Sequence, residues 1–239
     1  MLSAIGVGVW AMIFMTALTQ GMVNEMIKDG ISSLPGHVQV HHPDYQDDPN
    51  INNLIPMPDS ELAEKFSAAG IEQWATRIKV PAVISSERES RGVTLLGIDP
   101  ARERDIGFVD YAEVAGRFLE SAGDKGIVIG AKLADTLDTE VGKRIVIMSQ
   151  DPDNDIADRG FRVVGLFAAK TENLEETYVF AGKETIQTLL KVGDHVTEAV
   201  VVGDDYRDVE PVFTATQALF DNSVVVSRWT ELNSYLATM

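Results

Sequence analysis

The sequence predicts an α+β fold, a mixed α/β subdomain interrupted by a β-rich subdomain and preceded by an N-terminal transmembrane and stalk helix. Three observations carry this expectation. No residue of the first 24 is charged, although the 239-residue chain holds 20 Lys and Arg and 37 Asp and Glu. After that stretch, strand-like and helix-like segments alternate without a long βαβ run, which favours α+β over a doubly wound parallel sheet. From Gly116 onward the texture turns β-rich with short helices.

The composition narrows the function. A formal net charge of −17 argues against a protein that tracks nucleic-acid phosphates, and 45% hydrophobic residues is the composition of a globular chain. With no Cys at all, disulfide frameworks, thiolate metal sites, iron–sulfur clusters and Cys nucleophiles are excluded together.

In chain order, MLSAIGVGVWAMIFMTAL is an apolar run of 18 residues, roughly 27 Å of helix against a hydrocarbon layer of ~30 Å, and is expected to span a membrane. A secretory signal would need a basic leader, which is absent, and Ala17-Leu18-Thr19 is a poor cleavage site. No Lys or Arg precedes the run, so orientation is not readable from charge, and the chain is expected to be a piece that begins inside, or at the start of, its first helix. GMVNEMIKDGI continues as an amphipathic stalk ended by Gly30 and Leu34-Pro35-Gly36. HVQVHH reads as a strand closed by Pro43.

Asp59 and Ser60 offer N-caps to a helix through Ala69, with Leu62 and Phe66 on one face and Gly70 as its stop. RIKVPAVIS and GVTLLGID read as strands, and PARERDIGF as a helical turn or loop. Then come the strand KGIVIG, the helix AKLADTL, the strand RIVIM, a loop SQDPDNDIADRG, and the strands FRVVGLFAA and ETYVFA. KETIQTLL is a short helix with Ile186, Leu189 and Leu190 inward, and TEAVVVG a strand. Asp208 is a candidate cap for a helix carrying Val209, Val212, Phe213, Thr216, Leu219 and Phe220, followed by the strand SVVVSRW and an incipient helix.

Two groups of side chains stand out. Met12, Met15, Met22 and Met26, with Thr19 between them, follow three- and four-residue spacings and share one helical stripe. Flexible, polarizable Met suits a surface that accepts varied acyl chains, and the same stripe also suits packing against other membrane helices. Asp151, Asp153, Asp155 and Asp158 make the loop at 149–161 acidic. The first three match the opening ligands of a calcium-binding loop, but the sixth position is Ile156 where Gly is needed and the twelfth is Arg162 where Glu is needed. A solvated loop or a protruding contact for a partner is the expectation.

Elsewhere the chemistry is thin. His37 and His41 have a ligand-like spacing without a matching third ligand, Val38 occupying the slot of a catalytic Glu. Gly142-Lys143 has Leu137 where a phosphate-binding loop needs Gly and Arg144 where it needs Ser or Thr. With 37 carboxylates, no catalytic pair can be singled out. The expectation is a protein that is not itself an enzyme, with no catalytic residue, cofactor or metal.

GHVQVHHPDY, VTLLGIDPARE and GIVIGAKLADTLDTEVGKRIVI followed by FRVVGLF resemble the periplasmic core of bacterial FtsX-like ABC-transporter permeases, of the MacB and lipoprotein-releasing LolC/LolE type. The resemblance covers nearly the whole chain. It implies residues 1–24 as a first membrane span and 25–36 as a stalk. Residues 37–115 and 194–239 would form a mixed α/β (Porter-like) subdomain, and 116–193 a β-rich (Sabre-like) insertion. It also implies a place in the bacterial inner membrane with the main domain in the periplasm. The implied partners are a separate cytoplasmic ABC ATPase, a second permease subunit in a homo- or heterodimer, and a lipoprotein or a periplasmic adaptor or chaperone. In the lipoprotein-releasing branch the first helix borders the cavity for the lipid anchor, which falls on Met12, Met15, Met22 and Met26 here. That branch also recruits its chaperone through an extended loop in the β-rich part, whereas SQDPDNDIADRGF is short and acidic. An efflux role of the MacB kind, or a membrane-tethered sensing or adaptor module without transport, are the alternatives.

Overall fold

The computed structural model describes residues 8–22, 36–106, 113–169 and 172–232. Helix α1 covers residues 8–22, and the chain then enters the domain at strand β1, Val38–His41. After β2 (Ile55–Pro56), helix α2 (Asp59–Ala68) places Leu62 and Phe66 in the core. The long strands β3 (Gln73–Ser85) and β4 (Ser90–Ile98) form a hairpin, and α3 (Pro100–Asp105) starts with the Asp99 carboxylate accepting from the Ala101 amide. Next come β5 (Glu113–Gly116), the fully buried β6 (Gly126–Gly130), α4 (Ala131–Thr136), β7 (Arg144–Gln150) and β8 (Ile156–Ala168). α5 (Glu172–Thr177), β9 (Tyr178–Gly182) and α6 (Lys183–Leu190) follow. The chain closes with β10 (His195–Val196), β11 (Glu198–Val202), α7 (Glu210–Gln217), β12 (Val225–Arg228) and α8 (Trp229–Leu232).

Two sheet regions share one strand. The open region is antiparallel throughout, in the order β12-β1-β11-β3, and uses the first half of β3, whose residues 73–77 pair with β11. The second half of β3, residues 78–85, pairs with β4, and pairing continues β4-β9-β6-β8-β7 and returns to β3 at residues 83–85. These six strands close a barrel. Its interior takes the inward residues of a period-two alternation: Ile78, Val80 and Ile84 from β3, Ile127 and Ile129 from β6, Ile145 and Ile147 from β7, Phe161 and Val163 from β8. A second, smaller core lies on the opposite face, where Leu96, Ile98, Val128, Phe167 and Phe180 pack with Leu119. Barrel hydrogen bonding therefore crosses residue 116, because β3 and β4 precede it.

Between its two partners the edge of β3 is blunted by side chains. Thr197 accepts the Lys79 amide at 2.8 Å, the Tyr45 hydroxyl donates to the Lys79 carbonyl at 2.8 Å, and the Ser149 hydroxyl donates to the Pro81 carbonyl at 2.9 Å. Pro81 has no amide to leave unpaired, so the gap offers no open ladder to another strand.

The junction of the two regions is ionic and dry. Arg77 is 1% exposed and donates to both carboxylate oxygens of Glu103 on α3, at 2.6 and 2.7 Å, while its third nitrogen lies 3.6 Å from Glu198 on β11. Beside it, buried Lys183 at the start of α6 donates to Asp59 on α2 and to Thr76 on β3. Asp59 thus differs from its expected role: Pro58 holds the N-cap of α2, no side chain caps it, and the Asp59 carboxylate is engaged by Lys183 and Thr76.

Two further expectations need correction. The segment read as a loop from Ser149 to Gly160 is mostly strand, since β7 and β8 pair through Gln150↔Ile156 and leave only 151–155 as the turn. Gln150 and Asp158 there occupy outward positions of a hairpin. The helix α5 was not anticipated, because ENLEET carries a single apolar residue, Leu174.

Candidate functional site

Three places are candidates for a functional role. The first is α1. Met12, Met15 and Met22 are 73%, 60% and 67% exposed, but Trp10, Ile13, Phe14 and Leu18 on other faces are similarly open, so the Met stripe is not distinguished by any contact with the domain. Met26 lies outside the described residues. Residues 8–22 rise roughly 22 Å at 1.5 Å per residue. Among the described residues, no helix is long and apolar enough to cross a membrane.

The second place is the β7–β8 hairpin. Asp151 is 1% exposed and does not protrude: its carboxylate accepts from the amides of Asp153 at 3.1 Å and Asp155 at 2.9 Å, and from Lys191 at 2.8 Å. Those contacts, Lys191 foremost, hold its carboxyl below the ordinary range. Asn154, at φ 63°, completes the turn in the left-handed region that Asn tolerates. Asp151 is therefore the keystone of the turn, a correction to its place among the exposed contacts, while Asp153, Asp155 and Asp158 do face solvent.

Beside the hairpin opens a groove of about 480 Å³, lined by Asp48, Ile51, Pro81, Val83, Met148 and Ile156 among others. Val83 pairs with Met148, and Met148 with Asp158, so apolar and acidic side chains alternate across the outer face. Ile156 is 75% exposed. Sequence reasoning missed this groove, although apolar residues at the outward positions of β7 and β8 were its signal.

The third place is the base, where the chain enters and leaves the domain. β1 pairs with β12, and the Trp229 amide donates to the His37 carbonyl at 3.0 Å. Tyr206, Val209 and Val212 pack on Trp229, whose indole donates to the Tyr206 carbonyl at 2.9 Å. Entry and exit are thus tied side by side. The histidines read as a possible ligand pair are both occupied: His37 Nδ1 accepts from the Gly203 amide at 2.9 Å, and His41 meets Ser227 at 3.1 Å. Among the described residues, no group of three or more His, Cys, Asp or Glu could hold a metal ion.

Solved structures share this architecture. The periplasmic region of MacB from Actinobacillus actinomycetemcomitans aligns over 90% of this chain and 99% of its own, with a TM-score of 0.59 at 12% identity. The extracellular domain of the noncanonic ABC-type transporter YknZ from Gram-positive bacteria aligns over 81% of this chain and 100% of its own, with a TM-score of 0.56 at 13% identity. The fold is thus that of the extracytoplasmic domains of such transporters. The chain belongs to the MacB-like periplasmic core domain family, whose model matches residues 1–226. It is also 25% identical, over 97% of its length, to the lipoprotein-releasing system transmembrane protein LolC of Neisseria meningitidis serogroup B (strain ATCC BAA-335 / MC58). The chain spans about half of that relative, 55% of its length.

Proposed function

We propose that this chain is the periplasmic part of an inner-membrane ABC permease subunit that couples ATP hydrolysis by a separate cytoplasmic protein to the release of lipoproteins. The observation that carries the reading is the likeness to the Neisseria LolC protein across nearly the whole chain, α1 included. In this reading the first helix belongs to the first membrane span, and movement of that helix reaches the domain at its base. A second permease subunit completes the dimer. Met12, Met15, Met22 and Met26 would border the space for the acyl chains.

The hairpin favours a second reading beside the first. Its turn is confined to 151–155 and closed on itself through Asp151, which suits either a subunit that leaves chaperone recruitment to its partner or an efflux permease that engages a periplasmic adaptor. The groove beside the hairpin is the surface such a partner would use.

The test is to purify the full reading frame from membranes in mild detergent and identify copurifying proteins and acylated species by mass spectrometry. An ATP-binding subunit with acylated lipoproteins is expected. The same subunit with an adaptor protein would move the assignment to efflux, and no ATP-binding subunit would refute the transporter reading. Replacing the four Met by Asp should abolish lipoprotein release and leave ATPase assembly intact; unchanged release would remove their role.

A further inference from the structure

Residue His37 sits where α1's chain enters the domain, and three hydrogen bonds converge on it. Its amide donates to the Val201 carbonyl at 3.0 Å, its carbonyl accepts from Trp229 at 3.0 Å, and its Nδ1 accepts from the Gly203 amide at 2.9 Å. The first two are backbone ties that any residue could make. The third needs a lone pair on Nδ1, and an imidazolium has none, because both ring nitrogens then carry protons. Protonation would set an N–H against the Gly203 N–H.

We infer that His37 is a proton-operated tie between the chain's entry strand and the 203–208 loop, closed while the ring is neutral and opened by its protonation. The surroundings define the balance. Asp205 is the charge in that loop that bears on the ring, and Asp204, Asp205 and Asp208 line a cleft of about 570 Å³ next to Gly203. From α7 the neighbour at Gly203 is Val212, and Arg228 on the exit strand is engaged by Glu210 and Glu231. Burial pushes the His37 ring below its ordinary 6.5, and Asp205 offsets part of that push.

The sign follows. A ring whose folded value is depressed contributes stability that is complete above its unfolded value and is lost as pH falls through the folded one. Acid therefore loosens the base of the domain, where entry and exit meet, ahead of the barrel. The inference goes beyond the transport reading and does not depend on it, because the tie is a property of this junction.

The experiment is hydrogen exchange by NMR on the whole chain in detergent micelles at pH 7 and pH 5, corrected for intrinsic exchange rates, with a parallel titration of the His37 ring. Gly203 amide protection should fall about tenfold or more at the lower pH, while Ile129 in the barrel keeps its protection. In His37→Asn, whose side-chain oxygen accepts at either pH, Gly203 protection should change less than about twofold. Gly203 protection independent of pH in the wild type would overturn the inference. So would an equal loss in His37→Asn, or a parallel loss at Ile129. Should His37→Asn fail to fold, coincidence of the wild-type ring titration with Gly203 opening still decides the matter.

Discussion

Replacing Arg77 by Met would strand two carboxylates in the dry junction between the open sheet and the barrel. Arg77, Glu103 and Glu198 are 1%, 0% and 4% exposed, and the one guanidinium carries the neutralising charge within this set. Breaking a buried pair by removing one partner costs about 3–5 kcal/mol, since the remaining charge has lost both water and counter-ion. For a chain of this size, about 2–4 °C of melting temperature per kcal/mol converts that to a fall of about 6–20 °C. Glu103→Gln should be milder, because Glu198 still faces the cation and the amide still accepts a hydrogen bond. The triple variant Arg77→Met, Glu103→Leu, Glu198→Leu removes all three charges of this set and should recover most of the loss, as apolar replacement of buried ion networks often does. Urea unfolding followed by far-UV circular dichroism measures all three. An Arg77→Met protein within about 1 kcal/mol of the parent, or a triple variant as damaged as the single one, would refute the account of the junction.

Three other outcomes are expected. Gly130→Ala should destabilise by about 1–3 kcal/mol in the same assay, because the added methyl would collide with the Glu175 carbonyl oxygen where α4 meets α5. Burial would raise the Asp124 carboxyl, but hydrogen bonds from Arg117 and the amides of Glu120 and Gly126 outweigh it and bring the value down from 3.8 to about 2. Its contribution is thus complete above about pH 4 and fades toward about pH 2, so the melting gap between the parent and Asp124→Asn should narrow over that range in a pH series. Asp151→Ala should open the hairpin turn to limited proteolysis at 151–155, whereas Asp151→Asn, which keeps an acceptor for the two amides, should stay more resistant.

Much of the fold was legible because local pattern and tertiary role agree. GIVIG followed by AKLADT reads as a buried strand running into a helix, and that is β6 and α4. The apolar spacing of KETIQTLL marks the face that α6 buries. Where the pattern failed, a distant partner had decided the matter. Ile156 to Gly160 looks like loop because its outward positions include Asp158 and Gly160, yet the inward Ala157 and the ladder to β7 make it strand. Arg77 within RIKVPAVIS gives no sign of being buried, since its partners Glu103 and Glu198 are 26 and 121 positions away. Closure of the barrel by β7 on β3 is equally nonlocal. At the candidate sites, the acidic turn was legible as a loop, but not the inward turn of Asp151, which depends on Lys191 folding back onto it.

The double use of β3 has a consequence for how the molecule comes apart. One continuous strand supplies an inner member to the open sheet with residues 73–77 and a wall to the barrel with residues 78–85. Neither region can melt while leaving the other its full set of neighbours, and the dry ionic contacts at the crossing penalise any partial separation. Heat should therefore be absorbed in a single calorimetric peak spanning both regions, with calorimetric and van't Hoff enthalpies in agreement.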